Sequence, residues 1–240
     1  MSFLGCPHLP ARPITSAVIS CEVPANMRTM LRKRGVHLFL NGQNSTLPVP
    51  VCSHPDLSLF DMGGGKILVD RAADLALPHD VDLCVGSIRL KDKYPGDVAY
   101  DACQVGQFLF CNPLYTSPEI LNLSLNLVAV KQGYAKCSVA IVSEKAVITE
   151  DVGMARAMES VGIDVLRLEP GFVNLPRYSH GFIGGACGKI AADVLAFFGD
   201  LSQHPCGEDV VRFCKKYGVK TLSLSNDILT DYGSLIPLTE

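Results

Sequence analysis

A chain of 240 residues and 25.8 kDa, 48% hydrophobic and 19% charged with a mean hydropathy of +0.25, has the composition of a folded globular protein and excludes intrinsic disorder. The formal net charge is -3, and no basic run exceeds Arg32-Lys33-Arg34, so nothing follows a phosphate backbone and no nucleic-acid partner is expected. The most apolar long segment, residues 120–130, is too short to span a bilayer and contains Asn122 and Asn126, so no membrane partner is expected either.

The N-terminal residues carry no basic stretch followed by a long apolar run, so no secretory signal is readable and a cytoplasmic location is expected. Ten cysteines without export and without a C-x-x-C spacing read as reduced thiols, and neither a cofactor nor a metal site is expected. The sequon Asn44-Ser45-Thr46 reads as an ordinary polar loop.

In chain order, Ser16–Ser20 predicts a strand, and Pro24 opens a helix with Val23, Met27, Met30 and Leu31 on one face. That helix ends at Arg34-Gly35-Val36-His37, where glycine accepts the left-handed turn and a β-branched residue starts a strand. The second unit offers strands at 57–61 and 66–69 around Met62-Gly63-Gly64-Gly65, then a strand from Val81. The third has strands at 98–103 and 108–111, a helix start at Ser117-Pro118-Glu119, and a strand from Leu127. The fourth pairs 138–142 with 146–149, caps a helix with Asp151, and ends at Val161-Gly162-Ile163-Asp164. The fifth reads Gly181-Phe182-Ile183 as its first strand and 194–198 as its second. A helix carrying Val210, Phe213, Cys214 and Tyr217 follows, ending at Tyr217-Gly218-Val219-Lys220.

The last strands of these units begin near Val36, Val81, Leu127, Ile163 and Val219, a period in the size range of repeat architectures. Each unit reads strand, strand, helix, strand, except that the first lacks one strand. The spare segment 234–238 at the far end of the chain supplies it by pairing with the N-terminal unit and closing a ring. The expected architecture is therefore α/β, a β/α propeller of five ββαβ units in a single domain over 1–240. The units fall at about 14–41, 54–86, 97–131, 137–169 and 180–225.

The glycine-rich turns do not form a Walker loop, because Ile67 and Ile190 follow Gly65-Lys66 and Gly188-Lys189 where Ser or Thr is required. Carboxylates recur at strand ends: Asp61, Asp101, Glu150 with Asp151, Asp200 and Asp231. Converging on one channel, such acids would suit a cationic or guanidinium-like ligand, with Asp61 and Asp101 as the leading candidates. His54-Pro55-Asp56 and His204-Pro205-Cys206 read as matched structural loops, whereas His180 can face a pocket. The linker from Lys131 through Tyr134 to Cys137 places polar side chains where they can reach a central cavity, or equally where they are solvated.

The segment 131–137, Ile148-Thr149-Glu150-Asp151, Gly181-Phe182-Ile183-Gly184-Gly185-Ala186, His204-Pro205 and the ending Asp231-Tyr232-Gly233-Ser234-Leu235-Ile236-Pro237 together carry a resemblance. The chain resembles the pentein fold of the guanidino-group-modifying superfamily, and more closely an uncharacterised family of bacterial proteins with that fold. The resemblance implies a cysteine thiolate near the C-terminus attacking a guanidinium carbon, a histidine opening the fourth unit, and carboxylates gripping the guanidinium nitrogens. The nucleophile's place falls on Gly233 or Ser234 and the histidine's on Tyr134; Asp61 and Asp101 match the carboxylates. The standard Cys/His machinery is thus missing at its usual positions.

The first expectation is a protein that binds a small guanidino or amino compound through Asp61, Asp101, Lys131, Tyr134, His180, Asp231 and Ser234. Two alternatives stay open: a guanidino-modifying hydrolase or amidinotransferase with a relocated nucleophile such as Cys137 or Cys187, and a non-enzymatic interaction module. Oligomeric state is not readable.

Overall fold

The structure, a computed structural model, describes residues 2–240. Five three-stranded sheets carry the fold. The first contains β1 (Ser16–Ser20) and β2 (His37–Asn41). The second contains β3 (Leu59–Gly63), β4 (Lys66–Val69) and β5 (Asp82–Val85). The third contains β6 (Cys103–Val105), β7 (Phe108–Cys111) and β8 (Asn126–Ala129), and the fourth β9 (Val139–Ser143), β10 (Ala146–Thr149) and β11 (Asp164–Arg167). The fifth contains β12 (Cys187–Ala191), β13 (Val194–Phe197) and β14 (Lys220–Ser223).

In each of sheets two to five a hairpin supplies an antiparallel pair, and a crossover returns the third strand parallel to the middle one. The first sheet repeats this arrangement with a strand from the opposite end of the chain. β15 (Ile236–Thr239) pairs antiparallel with β1, matching Ser16 to Thr239 and Val18 to Ile236, while β2 lies parallel on the other side. The unit pattern is the pseudo-repeat expected from the helix-end glycines. Gly35, Gly162 and Gly218 adopt φ of +82°, +83° and +70°, a backbone region closed to most side chains, and each leads directly into a parallel strand.

Parallel neighbours need crossovers, and α1 (Ala25–Arg32), α4 (Val152–Glu159) and α5 (Gly207–Lys216) provide them in units one, four and five. Asp151 caps α4 as expected, its Oδ1 accepting from the Met154 N–H at 2.8 Å. The third unit has a single turn, α3 (Pro118–Leu121). The second unit has no helix between β4 and β5, contrary to the expected repeat. Its crossover places Ala73, Leu75 and Leu77 at two-residue spacing against the first sheet, and Gly42 donates to the Asp74 carbonyl at 2.7 Å. That periodicity suits an extended chain, and Pro78 ends it. The unit's one short helix, α2 (Pro55–Ser58), instead precedes β3.

The expected first strand of unit five is also displaced. Gly181 and Phe182 are irregular and Ile183 opens a turn, and the N–H groups of Phe182 and Ile183 donate to Asp231 and Glu150 rather than to a neighbouring strand. The strand starts only at Cys187.

Five apolar clusters lie between sheets, and each draws its members mainly from two units. Val18, Ile67 and Ile236 join units one and two; Ile19, Ala196 and Leu235 join units one and five. Asn44 of the sequon is fully buried, with its Nδ2 donating to Asp70 at 2.9 Å, so that loop is structural. No helix among the described residues is long and apolar enough to cross a membrane.

Candidate functional site

The His54-Pro55-Asp56 turn opens α2. His54 takes an extended backbone as the residue before proline, and Pro55 sets the first helical turn, so the imidazole and the Asp56 carboxylate project from a stiff segment. Both side chains are buried. His54 Nδ1 stands 3.7 Å from Asp231 Oδ1. Burial lowers His54 to about 4, more than the neighbouring Asp56 carboxylate raises it, so near neutral pH the contact joins an uncharged ring to a carboxyl group.

Asp231 comes from the tail, ahead of β15, and receives the Phe182 and Gly233 N–H groups at 2.9 Å each. Burial raises it to about 6 despite these donors and the field of Lys136. The glycine-rich turn of unit five exists to admit it: a Cβ on Gly181 would lie 2.5 Å from the Asp231 Cβ, and one on Gly185 would overlap its carboxylate. Gly233 similarly leaves room for His54.

The segment before β9 contributes Lys136 and Cys137. Their N–H groups both donate to Asp101 Oδ1, at 2.5 and 3.2 Å. Lys136 Nζ donates to Ser234 Oγ at 2.9 Å, and Ser234 Oγ lies 2.6 Å from Asp56 Oδ2. A hydroxyl has one proton, so with Lys136 as donor the Ser234 proton is shared between Asp56 Oδ2 at 2.6 Å and the Gly184 carbonyl at 2.9 Å. Asp56 Oδ1 and Asp101 Oδ2 are buried with no partner. Burial pushes both carboxyls up, and Asp56 adds to the effect on Asp101. Cys137 is likewise raised well above the usual thiol range by burial and by Asp101, Asp56 and Asp231, so its resting form is the thiol. Potential ligand atoms of His54, Asp56 and Cys137 all lie within 4.8 Å of one another.

Of these groups, His54, Cys137 and Asp231 line a cavity of about 220 Å³. His54, Cys137, Asp231, Ser179 and His180 supply its polar surface; Leu57, Leu175, Tyr134, Tyr178 and Phe182 supply apolar walls. Tyr134 is held by its hydroxyl, which donates to Asp97 at 2.7 Å, and its ring lies 6.1 Å from that of Phe182. Glu150, just behind, is raised to about 7 by burial; its Oε2 accepts from the Ile183 N–H and its Oε1 has no partner.

Of the residues singled out in the sequence, Tyr134, His180 and Asp231 line this cavity. Asp101 lies buried beneath Cys137, and Ser234 lies buried behind Asp56 with φ of +69°. Asp61 faces a separate void of about 10 Å³ shared with His8, Asp56 and Lys136, and accepts from the Gly63 N–H. Lys131 is exposed and does not line the cavity. His54 and Asp56, read from the sequence as a structural loop, line the cavity and stand behind it, respectively. The signal available was the acid directly after a His-Pro pair, which the matching His204-Pro205-Cys206 lacks.

Three-stranded α/β units arranged in this way define a pentein-type protein, the fold of guanidino-group-modifying enzymes. Solved structures of that class align over nearly the whole chain. Inosamine-phosphate amidinotransferase from Streptomyces griseus matches with a TM-score of 0.54 and 11% identity, covering 94% of this chain and 92% of that one. C. jejuni agmatine deiminase with substrate bound gives 0.52 and 10%, covering 100% and 97%. An amidinotransferase of the saxitoxin biosynthetic pathway from Microseira wollei gives 0.51 and 10%, covering 93% and 91%. At such identities the likeness establishes the fold alone. The chain itself belongs to a family of unknown function, DUF6873, whose profile matches residues 18–236. Comparison with curated protein sequences finds no match.

Proposed function

We propose that the cavity binds a small organic cation of the guanidino or amino class. The observation that carries this reading is the charge imbalance among Asp231, which lines the cavity, and the two acids buried behind the lining residues His54 and Cys137. Asp56, Asp101 and Asp231 are each at most 2% exposed, and among the described residues Lys136 is the only basic side chain hydrogen-bonded within the group. Carboxyls crowded in this way hold protons until a cation replaces them. A guanidinium offers several N–H donors in a plane, suited to the Asp231 carboxylate and the faces of Tyr134 and Phe182. The agmatine deiminase and the amidinotransferases sharing the fold support the same ligand class.

The test is a thermal-shift series with agmatine, arginine, guanidine and spermidine. A ligand at about 100 times its Kd adds ~2.7 kcal/mol, which raises the Tm of a chain of this size by roughly 5–10 °C. Asp231→Asn should remove the shift relative to its own unliganded Tm. Because Asp231 must give up its proton to pair with the cation, affinity should rise with pH. The expected gain approaches tenfold per pH unit below about 6 and levels off above about 7. Cooperative melting with no shift from any of these cations at millimolar concentration would overturn the reading.

One contact favours a second reading, that of an enzyme with a relocated nucleophile. Cys137 and His54 face the same cavity with Asp56 beside them. A bound guanidinium would stabilise the Cys137 thiolate, and the neutral His54 ring can accept the thiol proton and return it to a departing amine. In the same series, turnover of a bound guanidino compound that Cys137→Ser abolishes while the thermal shift persists would support this chemistry.

A further inference from the structure

The geometry points to a transition-metal site of the zinc class formed by His54, Asp56 and Cys137, with one coordination position open to the cavity. This inference goes beyond the organic-cation reading and does not depend on it. An imidazole, a carboxylate and a thiol have donor atoms within 4.8 Å of one another, and all three residues are buried. In a tetrahedral zinc site donor atoms lie about 3.3–3.8 Å apart, so small side-chain rotations suffice to close the set. The sulfur donor argues against magnesium and calcium, which take oxygen ligands, and favours zinc or cobalt.

Independent features of the surroundings point the same way. Asp56 Oδ1 is buried without any partner, while Oδ2 is held by the Ser234 hydroxyl at 2.6 Å. One oxygen is thus fixed and the other is left to coordinate. His54 Nδ1 faces Asp231 Oδ1 at 3.7 Å, longer than a hydrogen bond, and the small ring rotation that closes the ligand set would have to shorten it to give the imidazole–carboxylate pairing that orients metal-bound histidines. Asp101 fixes the backbone at Cys137 through the Lys136 and Cys137 N–H groups. The ligands come from two stiff segments, the turn into α2 and the approach to β9. His54 and Cys137 both line the cavity, so three protein ligands would leave a fourth position for water or an incoming ligand atom, the arrangement of reactive rather than purely structural zinc sites. On binding, the Cys137 thiol forms the metal–sulfur bond and releases its proton to solvent.

The test uses Co²⁺ as a spectroscopic probe. The full chain is stripped with chelator under reducing conditions, titrated with Co²⁺ and then back-titrated with Zn²⁺. The expected result is a single equivalent of Co²⁺ showing thiolate-to-cobalt charge transfer and intense tetrahedral ligand-field bands, both erased by Zn²⁺. Cys137→Ser should abolish the charge-transfer band while the circular dichroism stays native, which separates this site from the other nine cysteines. Asp56→Asn should also weaken binding, and Ser234→Ala, which leaves every proposed ligand in place, should lower affinity by roughly tenfold or more. Absence of tetrahedral cobalt in the folded wild-type chain would overturn the proposal, as would a charge-transfer band that survives Cys137→Ser. Loss of the agmatine shift in Asp231→Asn concerns the organic-cation reading alone.

Discussion

Gly184→Ala should destabilise the protein by about 3 kcal/mol or more, lowering the Tm by roughly 6–12 °C, a change measurable by thermal or urea denaturation. A Cβ at this position would lie no more than 2.6 Å from the carbonyl oxygens of Val139, Cys137 and Lys136. All three obstacles are backbone, so no side-chain rotation relieves the overlap. The Gly184 carbonyl also accepts from Lys136 Nζ at 3.4 Å, with Ser234 Oγ 2.9 Å away. Moving it would therefore disturb the Lys136, Ser234 and Asp56 network as well. Gly184 has no positive φ, so the cost is steric rather than conformational. Gly35→Ala provides the contrast: its Cβ would meet open space, but its φ is +82°, so about 1–2 kcal/mol is expected from the left-handed backbone alone. A Gly184→Ala protein within about 1 kcal/mol of wild type would refute the close backbone approach on which the site is built.

Removal of residues 235–240 should leave the chain unable to fold cooperatively, whereas joining its ends should be tolerated. The deletion strips β15 from β1, whose residues are buried throughout, and takes Leu235, Ile236 and Leu238 out of two inter-unit clusters. Burial of each such side chain contributes ~1.5–3 kcal/mol, so the three together account for roughly 5–9 kcal/mol, comparable to the whole stability of an ordinary domain. Ser2 and Glu240 exchange backbone hydrogen bonds at 3.1 and 2.9 Å, so a short Gly-Ser linker can bridge the ends. A permutant with new termini between Asp92 and Lys93, in an exposed turn, should retain native circular dichroism and a Tm within a few degrees of wild type. A truncated chain that melted like the intact one would show that the tail-to-head pairing contributes little.

Much of the fold was legible because it is encoded locally. A glycine ending a helix and a β-branched residue starting a strand are neighbours in sequence, and Gly35, Gly162 and Gly218 announced three crossovers correctly. The hairpin turns of units two and four were equally readable, whereas in unit three the strand expected over 98–103 begins only at Cys103 and runs to Val105. The fifth unit misled because Gly181-Phe182-Ile183 has the apolar character of a strand, while the N–H groups of Phe182 and Ile183 are claimed by carboxylates remote in sequence. The second unit misled because its crossover follows a two-residue period that a helix-based repeat does not anticipate.

The candidate site was legible only in its parts. Tyr134, His180 and Asp231 were chosen from the sequence for polarity beside turns, and they line one cavity. The linker that carries Tyr134 also brings Lys136 and Cys137, but His54 and Asp56 could not be joined to them from the sequence, since Asp56 and Ser234 meet across 178 positions of chain. The amino-acid order by itself determined the five units, their turns and the supply of acids at strand ends, because each depends on residues a few positions apart. Only the tertiary structure decided which acids are buried together, which thiol stands beside a histidine, and how few basic groups oppose them. Burial and proximity control those electrostatic relations, and both arise only when distant segments pack.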